Sequence, residues 1–208
     1  MQPTSITAKK IGVGACLWDG ALVLTAYLAS QPRYKYVGMR CIELGAGVGL
    51  VGLALAMMGA QVVITDIEKV MALLLENLIA NGFDPGKGPQ PGKGWAVGEE
   101  LEWGKEGWMD AVRRLADPPP DLILAADCCY VDQDGKSPST ADFVTTCAGL
   151  CGPNTRCLVA FERRSPEVRR VLLEEARKRF SRVERVPVSQ YGPKSLQLEY
   201  VDIWELQL

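Results

Sequence analysis

The 208-residue chain contains no histidine, and that absence excludes more than any residue present. It removes the commonest general base, the histidine-containing triads and dyads, and zinc sites of the HExxH or mixed Cys/His kind. No CxxC pair occurs among the seven cysteines, an odd number set mostly among apolar residues. They read as buried free thiols of a cytoplasmic protein, with the nucleus as a second location, and no metal site is expected. An excess of positive charge is missing as well: 23 Lys plus Arg stand against 25 Asp plus Glu, a formal charge of −2. That balance argues against nucleic acid as a general partner and suits a basic or neutral one. From Leu44 to Thr65 there is no charge of either sign, a stretch long enough to suggest a membrane span. Five glycines interrupt it, and its texture passes from turn to Ala/Leu/Met-rich helix to the β-branched run Val62-Val63-Ile64. A buried α/β core has the same hydropathy, so no membrane association is expected. The opening MQPTSITAKK has no apolar run behind its charges and carries no signal-peptide pattern.

At roughly 100–200 residues per domain, the length fits one domain spanning 1–208. Apolar residues at 18, 22, 23, 26 and 27 predict an amphipathic helix from Trp18 to Leu28. Short buried strands are expected at Arg40–Leu44, Val62–Thr65, Trp95–Leu101, Asp121–Ala126 and Arg156–Phe161. Helices are expected at Leu50–Met58, Ile67–Asn81, Trp108–Leu115 and Phe143–Leu150, with one more opening at Ser165-Pro166, a good N-cap and first-turn pair. Residues 82–94, GFDPGKGPQPGKG, read as a surface loop. The arginines of 163–185 read as a solvated helix face, because glutamates are interleaved among them. Arg182–Val188 and Ser195–Leu206 close the chain as strands, the latter alternating Leu196, Leu198 and Tyr200 with polar neighbours. Strands alternating with helices predict a mostly parallel, Rossmann-like α/β sheet covered on both faces, and two consecutive final strands predict an antiparallel edge. Ligands bind such sheets beyond the C-terminal strand ends.

The sharpest motif is Glu43-Leu-Gly45-Ala46-Gly47-Val-Gly49-Leu-Val-Gly52, between a strand and a helix. Glycines 47, 49 and 52 satisfy GxGxxG, which alone permits a dinucleotide. Asp66 ends the next strand, seventeen residues past Gly49, where a carboxylate can accept from both ribose hydroxyls of either NAD or S-adenosylmethionine; the bland reading is a helix N-cap. Glu43 brings negative charge toward the ligand, which disfavours a pyrophosphate and favours a group carrying an ammonium and a sulfonium.

Several spaced motifs occur together: Gly14 to Trp18, Leu24-Thr-Ala-Tyr27-Leu28, ELGAGVGLVG, VVITD, Leu75-Glu-Asn77 with Asn81, Leu101-Glu-Trp103-Gly104 and Asp127-Cys-Cys-Tyr130. In this order they resemble methyltransferase family 16, seven-β-strand non-histone protein-lysine methyltransferases, a group that includes the enzyme acting on valosin-containing protein. The resemblance runs from about Gly12 to Glu162. It implies a seven-stranded sheet in the order three-two-one-four-five-seven-six, and transfer from S-adenosylmethionine, leaving S-adenosylhomocysteine, to a lysine presented by a protein. By that pattern Trp18, Glu43, Gly45, Ala46, Gly47, Asp66, Trp103 and Ala126 would bind the cofactor. Asp127 would hold the incoming amine, Tyr130 would shape its pocket, and Glu162 of Phe161-Glu-Arg-Arg164 would add negative charge. Each has a bland alternative: core packing for Trp18, Trp103 and Tyr130, a turn carboxylate for Asp127, a surface ion pair for Glu162. Cys128 and Cys129 are discounted as nucleophiles because no neighbouring base or cation is evident. Methylation of a small molecule or another side chain, a catalytically silent binding module of this fold, and an NAD-dependent oxidoreductase are the competing readings. Three departures leave the target open: a short lead before Gly12, a long 82–94 loop, and VDQDGKSPST after Tyr130 in place of a more acidic run.

Overall fold

A computed structural model describes residues 12–84, 86–89, 93–132 and 134–208. The N-terminal lead, on which the signal-peptide reading rests, lies outside them, as do parts of the 82–94 loop.

Seven strands form one sheet: β1 (Arg40–Leu44), β2 (Gln61–Asp66), β3 (Trp95–Glu100), β4 (Leu122–Ala126), β5 (Arg156–Glu162), β6 (Arg182–Arg185) and β7 (Val201–Gln207). Their order is β3-β2-β1-β4-β5-β7-β6, as expected. β1 to β5 pair in parallel, whereas β7 runs antiparallel to both β5 and β6. The antiparallel strand is thus one position in from the edge. Parallel pairing needs a crossover after each strand, and these crossovers cover the sheet. Helices α1 (Asp19–Ala29), α2 (Leu50–Met57) and α3 (Glu68–Ala80) pack on one face with Val23, Leu24, Leu55 and Leu74 in its core. Helices α4 (Trp108–Leu115), α5 (Ser139–Leu150) and α6 (Pro166–Arg179) cover the other with Val112, Phe143, Val144 and Leu172. Among the described residues no helix is long and apolar enough to cross a membrane.

Three boundaries differ from the sequence reading. The last strand begins at Val201, because Pro193 starts a 3₁₀ turn over Lys194–Leu196. Leu196, Leu198 and Tyr200 therefore precede the strand, and β7, paired on both sides, is buried in a continuous run instead of alternating. β6 stops at Arg185, before Pro187, which lacks a donor for the ladder. Helix α5 starts four residues early, at Ser139, since its first turn is polar and only its later turns carry the apolar signal.

The arginine-rich segment is only partly a solvated face. Arg170 pairs with Glu167 and Glu174 on the surface of α6, but Arg163, Arg169 and Arg185 converge on Asp202, which is 1% exposed. The approach of Arg185 Nη2 is the close one, at 2.6 Å. A buried carboxylate stripped of its partner costs several kcal/mol, and here neither oxygen has a well-directed hydrogen bond to fall back on. Arg185→Met is expected to lower the unfolding free energy by about 2 kcal/mol, read by urea denaturation; an unchanged midpoint would show that Arg163 and Arg169 suffice.

Candidate functional site

The five parallel strands end on one side of the sheet, and their ends open into a cleft of about 470 Å³, a normal size for a small-molecule site. All eleven candidate residues line it: Trp18, Glu43, Gly45, Ala46, Gly47, Asp66, Trp103, Ala126, Asp127, Tyr130 and Glu162. They come from segments spread over 145 positions of sequence, and the parallel register brings them together.

At the centre, β1 runs into the glycine-rich turn. Gly45 sits at φ +60°, and a Cβ there would meet Cys128 Sγ at 2.9 Å and the Trp103 ring at 3.0 Å. The turn is therefore a cradle that a side chain would fill. Asp66, at the end of β2, supports it: Oδ2 accepts from the Gly47 N–H at 2.7 Å and Oδ1 from the Ile67 N–H at 2.7 Å. Asp66 is not the N-cap of α3: that position is Ile67, whose own side chain makes no capping bond, and Asp66 stands one residue before it and reaches only the Ile67 N–H. Burial raises the pKa of Asp66, while the two N–H groups oppose the rise. Each of its oxygens keeps a lone pair for a ligand diol.

Glu43 is 2% exposed and turned away from open solvent, its Oε2 accepting from the Gly52 N–H of α2 at 2.8 Å. Burial pushes its pKa up to about 8 against the pull of the Gly52 and Val51 N–H groups. Its negative charge, assigned to the ligand from sequence, is thus largely suppressed at neutral pH, and the carboxyl serves the start of α2 first. The fold favours the protonated acid, so the associated stability is whole below the ordinary value of 4.5 and lost as pH rises through about 8. Glu43→Gln is expected to lose less stability over that window than the natural chain, measured by denaturation at several pH values; parallel curves would refute the buried acid.

Asp127 follows β4 at φ +53°, the one positive-φ non-glycine among the described residues. That conformation costs about 1–2 kcal/mol. Two hydrogen bonds to its charged group, each worth about 1.5–3 kcal/mol, outweigh the cost: Oδ2 accepts from Gly20 N–H at 2.8 Å and Oδ1 from Glu162 N–H at 2.8 Å. Burial raises the pKa of Asp127, opposed by those N–H groups and by the Arg164 charge. Gly20, which the sequence reading missed, is required here, since its Cβ would lie 2.4 Å from Asp127 Oδ2. The signal was Trp18-Asp-Gly20, a glycine inside the first turn of a helix. Elsewhere in a helix Gly→Ala stabilises by about 0.4–1 kcal/mol; Gly20→Ala is expected to destabilise by about 1–3 kcal/mol instead. Urea midpoints decide the sign.

Trp18 lies under the guanidinium of Arg164, 4.3 Å from its ring centroid, and Arg164 also pairs with Glu162. The charge of Glu162 is therefore compensated, which corrects the expectation that it adds negative charge. Arg164, unassigned from sequence, was legible only as part of the Phe-Glu-Arg-Arg run. Trp103 packs on Phe143 with centroids 5.1 Å apart, and its buried Nε1 lacks a hydrogen-bond partner among the described residues. Tyr130 is 61% exposed at the mouth, which removes the core alternative. Burial raises the thiol pKa of Cys128 well above the ordinary value and that of Cys129 to about 12, so neither is a poised nucleophile. Not every thiol is buried: Cys16 is exposed. A cradle without Cβ, a diol acceptor at its rim and aromatic walls fit a nucleoside-bearing ligand.

This sheet order with a glycine-rich turn after β1 and an acid after β2 defines a Rossmann-like methyltransferase fold. The chain belongs to the lysine methyltransferase family, whose model matches residues 5–183. It is 35% identical over 161 residues to mouse protein N-lysine methyltransferase METTL21A, covering 76% of this chain and 66% of that one. With mouse EEF1A lysine methyltransferase 3 it shares 30% over 157 residues, covering 76% and 59%. The chain thus spans between half and two thirds of the length of these curated relatives. Among solved structures, human methyltransferase-like protein 13 in complex with SAH superposes with a TM-score of 0.58 at 15% identity, covering 92% of this chain and 83% of that one. The Thermus thermophilus 16S rRNA methyltransferase RsmC, in complex with AdoMet and guanosine, gives 0.64 at 18% identity, covering 94% and 44%. These two likenesses concern the fold.

Proposed function

We propose that the chain is an S-adenosylmethionine-dependent methyltransferase acting on a lysine of a non-histone protein. The carrying observation is that Asp66, the last residue of β2, and Asp127, the first residue past β4, line one cleft at the ends of the two strands flanking β1. The names of the relatives, protein N-lysine and EEF1A lysine methyltransferases, support the same reading. When bound, S-adenosylmethionine supplies a methyl group already activated as a sulfonium, so the chemistry needs no histidine. Of the residues lining the cleft, Asp66 would hold the ribose hydroxyls through its free lone pairs, the Gly45–Gly47 turn would support the ribose and methionine portion, and Leu101 and Trp103 would wall the adenine. On the other side, Asp127 Oδ1 and Oδ2 each keep a lone pair for an incoming lysine Nζ–H. The backbone bonds that fix this carboxylate orient the amine, and Tyr130 and Trp18 exclude water around it. A reducing compartment, the cytoplasm before the nucleus, is supported by seven cysteines that are all free.

Calorimetry is expected to show binding of S-adenosylhomocysteine and not of NAD; the reverse would overturn the reading. Asp66→Ala is expected to weaken that binding about 10–100-fold, whereas Asp127→Ala preserves it and abolishes transfer. Equal loss of binding in both would refute the division of roles. Incubation with labelled S-adenosylmethionine and a cell lysate should place label on protein lysine; label confined to nucleic acid or metabolites would overturn the substrate class.

A further inference from the structure

Beside the cleft lies a second concavity of about 390 Å³ that shares Ser165 with it. It runs along α6 and is lined by Arg163, Arg169, Arg170 and Arg177, with Leu173 among them. Positions 166, 169, 170, 173 and 177 stand at i, i+3, i+4, i+7 and i+11, which places them on one face of the helix. The two concavities carry opposite charge. Asp66, Asp127 and Glu162 face Lys69 and Arg164 in the cleft, while Glu174 is the one acid beside four arginines among the described residues that line the groove.

The groove's arginines are open to exchange. Arg177 makes no ion pair with any described residue. Arg170 is held by exposed pairs to Glu167 and Glu174, and such pairs are worth about 0–1 kcal/mol. Arg163 and Arg169 reach Asp202 only at 3.8 and 3.5 Å, so three guanidiniums share one carboxylate and leave positive charge unspent.

We propose that this groove docks an acidic segment of the protein substrate, flanking the lysine that enters the cleft. The proposal rests on the lysine methyltransferase reading above. A substrate with a cation at one point and carboxylates beside it matches both concavities at once, and the chain's net charge of −2 repels that segment elsewhere. Nucleic acid fits less well, since no lining residue of the groove is aromatic and Glu174 stands in its wall. From Ser165 to Arg177 the helix rises about 18 Å, a distance an extended chain covers in about six residues. The acidic residues are therefore expected within a stretch of about six residues beside the target lysine.

Fluorescence anisotropy on the full chain tests this with two labelled peptides, each carrying one lysine flanked on both sides by either glutamates or glutamines. The glutamate peptide is expected to bind about tenfold tighter, with an advantage that shrinks as salt rises. In the double variant Arg170→Gln/Arg177→Gln the advantage is expected to fall below about twofold, with S-adenosylhomocysteine binding unchanged by calorimetry. Equal binding of the two peptides to the natural chain overturns the proposal without any variant, as does full retention of the preference by a folded double variant. Tighter binding of a single-stranded RNA oligonucleotide, lost in the double variant, would assign the groove to nucleic acid and also overturn it. Failure of S-adenosylhomocysteine to bind the natural chain would instead strike the methyltransferase reading, independently of the peptide result.

Discussion

Three carboxylates sunk at the C-terminal edge of the sheet are held by backbone N–H groups, and none has a cationic side chain within ion-pair distance among the described residues. Taking a carboxylate out of water costs several kcal/mol, and N–H donors return only part of it. The result is graded by depth: all three pKa values are raised, and Glu43, the most deeply buried, is raised to about 8. Each of these bonds also fixes a piece of backbone. Glu43 ties β1 to the first turn of α2, Asp66 ties the end of β2 to the glycine-rich turn, and Asp127 ties α1 to the end of β5. The same contacts that satisfy the acids thereby set the shape of the cleft.

This coupling explains where glycine is demanded. Gly20 is required by the closeness of the Asp127 carboxylate, and Gly45 by the approach of Cys128 and Trp103. A carboxylate that bonds to backbone needs no side-chain partner, so nothing in its sequence neighbourhood announces the pairing. Gly20 and Asp127 are 107 positions apart, and only the crossing of α1 over the strand ends joins them.

Much of the fold was legible because the strands are buried on both faces and interrupted by strong punctuation. The glycine turn and Asp66 were legible as cleft residues because close backbone approach demands glycine and an acid ending β2 falls at the C-terminal edge of the sheet. What escaped were features decided by tertiary context. Asp202 looks like one polar residue in an alternating strand, yet it is buried beneath three arginines drawn from β5's exit, α6 and β6. Glu162 reads as an added negative charge, yet Arg164 folds back over Trp18 and neutralises it. Segment 195–200 carries a strand-like alternation, but Pro193 imposes a turn that the pattern of apolar residues does not register.

The missing histidine acquires a positive meaning in this arrangement. A site built on an imidazole would have a titrating cation among its acids near neutral pH, and the buried carboxylates would adjust to it. Without one, the protonation of the acids is set by depth and by fixed N–H dipoles, Glu43 being held largely protonated. Among the described residues the cations lining the cleft are Lys69 and Arg164, and Arg164 is already engaged with Glu162 and the Trp18 ring. The free lone pairs of Asp127 thus remain available to a cationic or amine group brought in from outside, which is the property a lysine-accepting pocket requires.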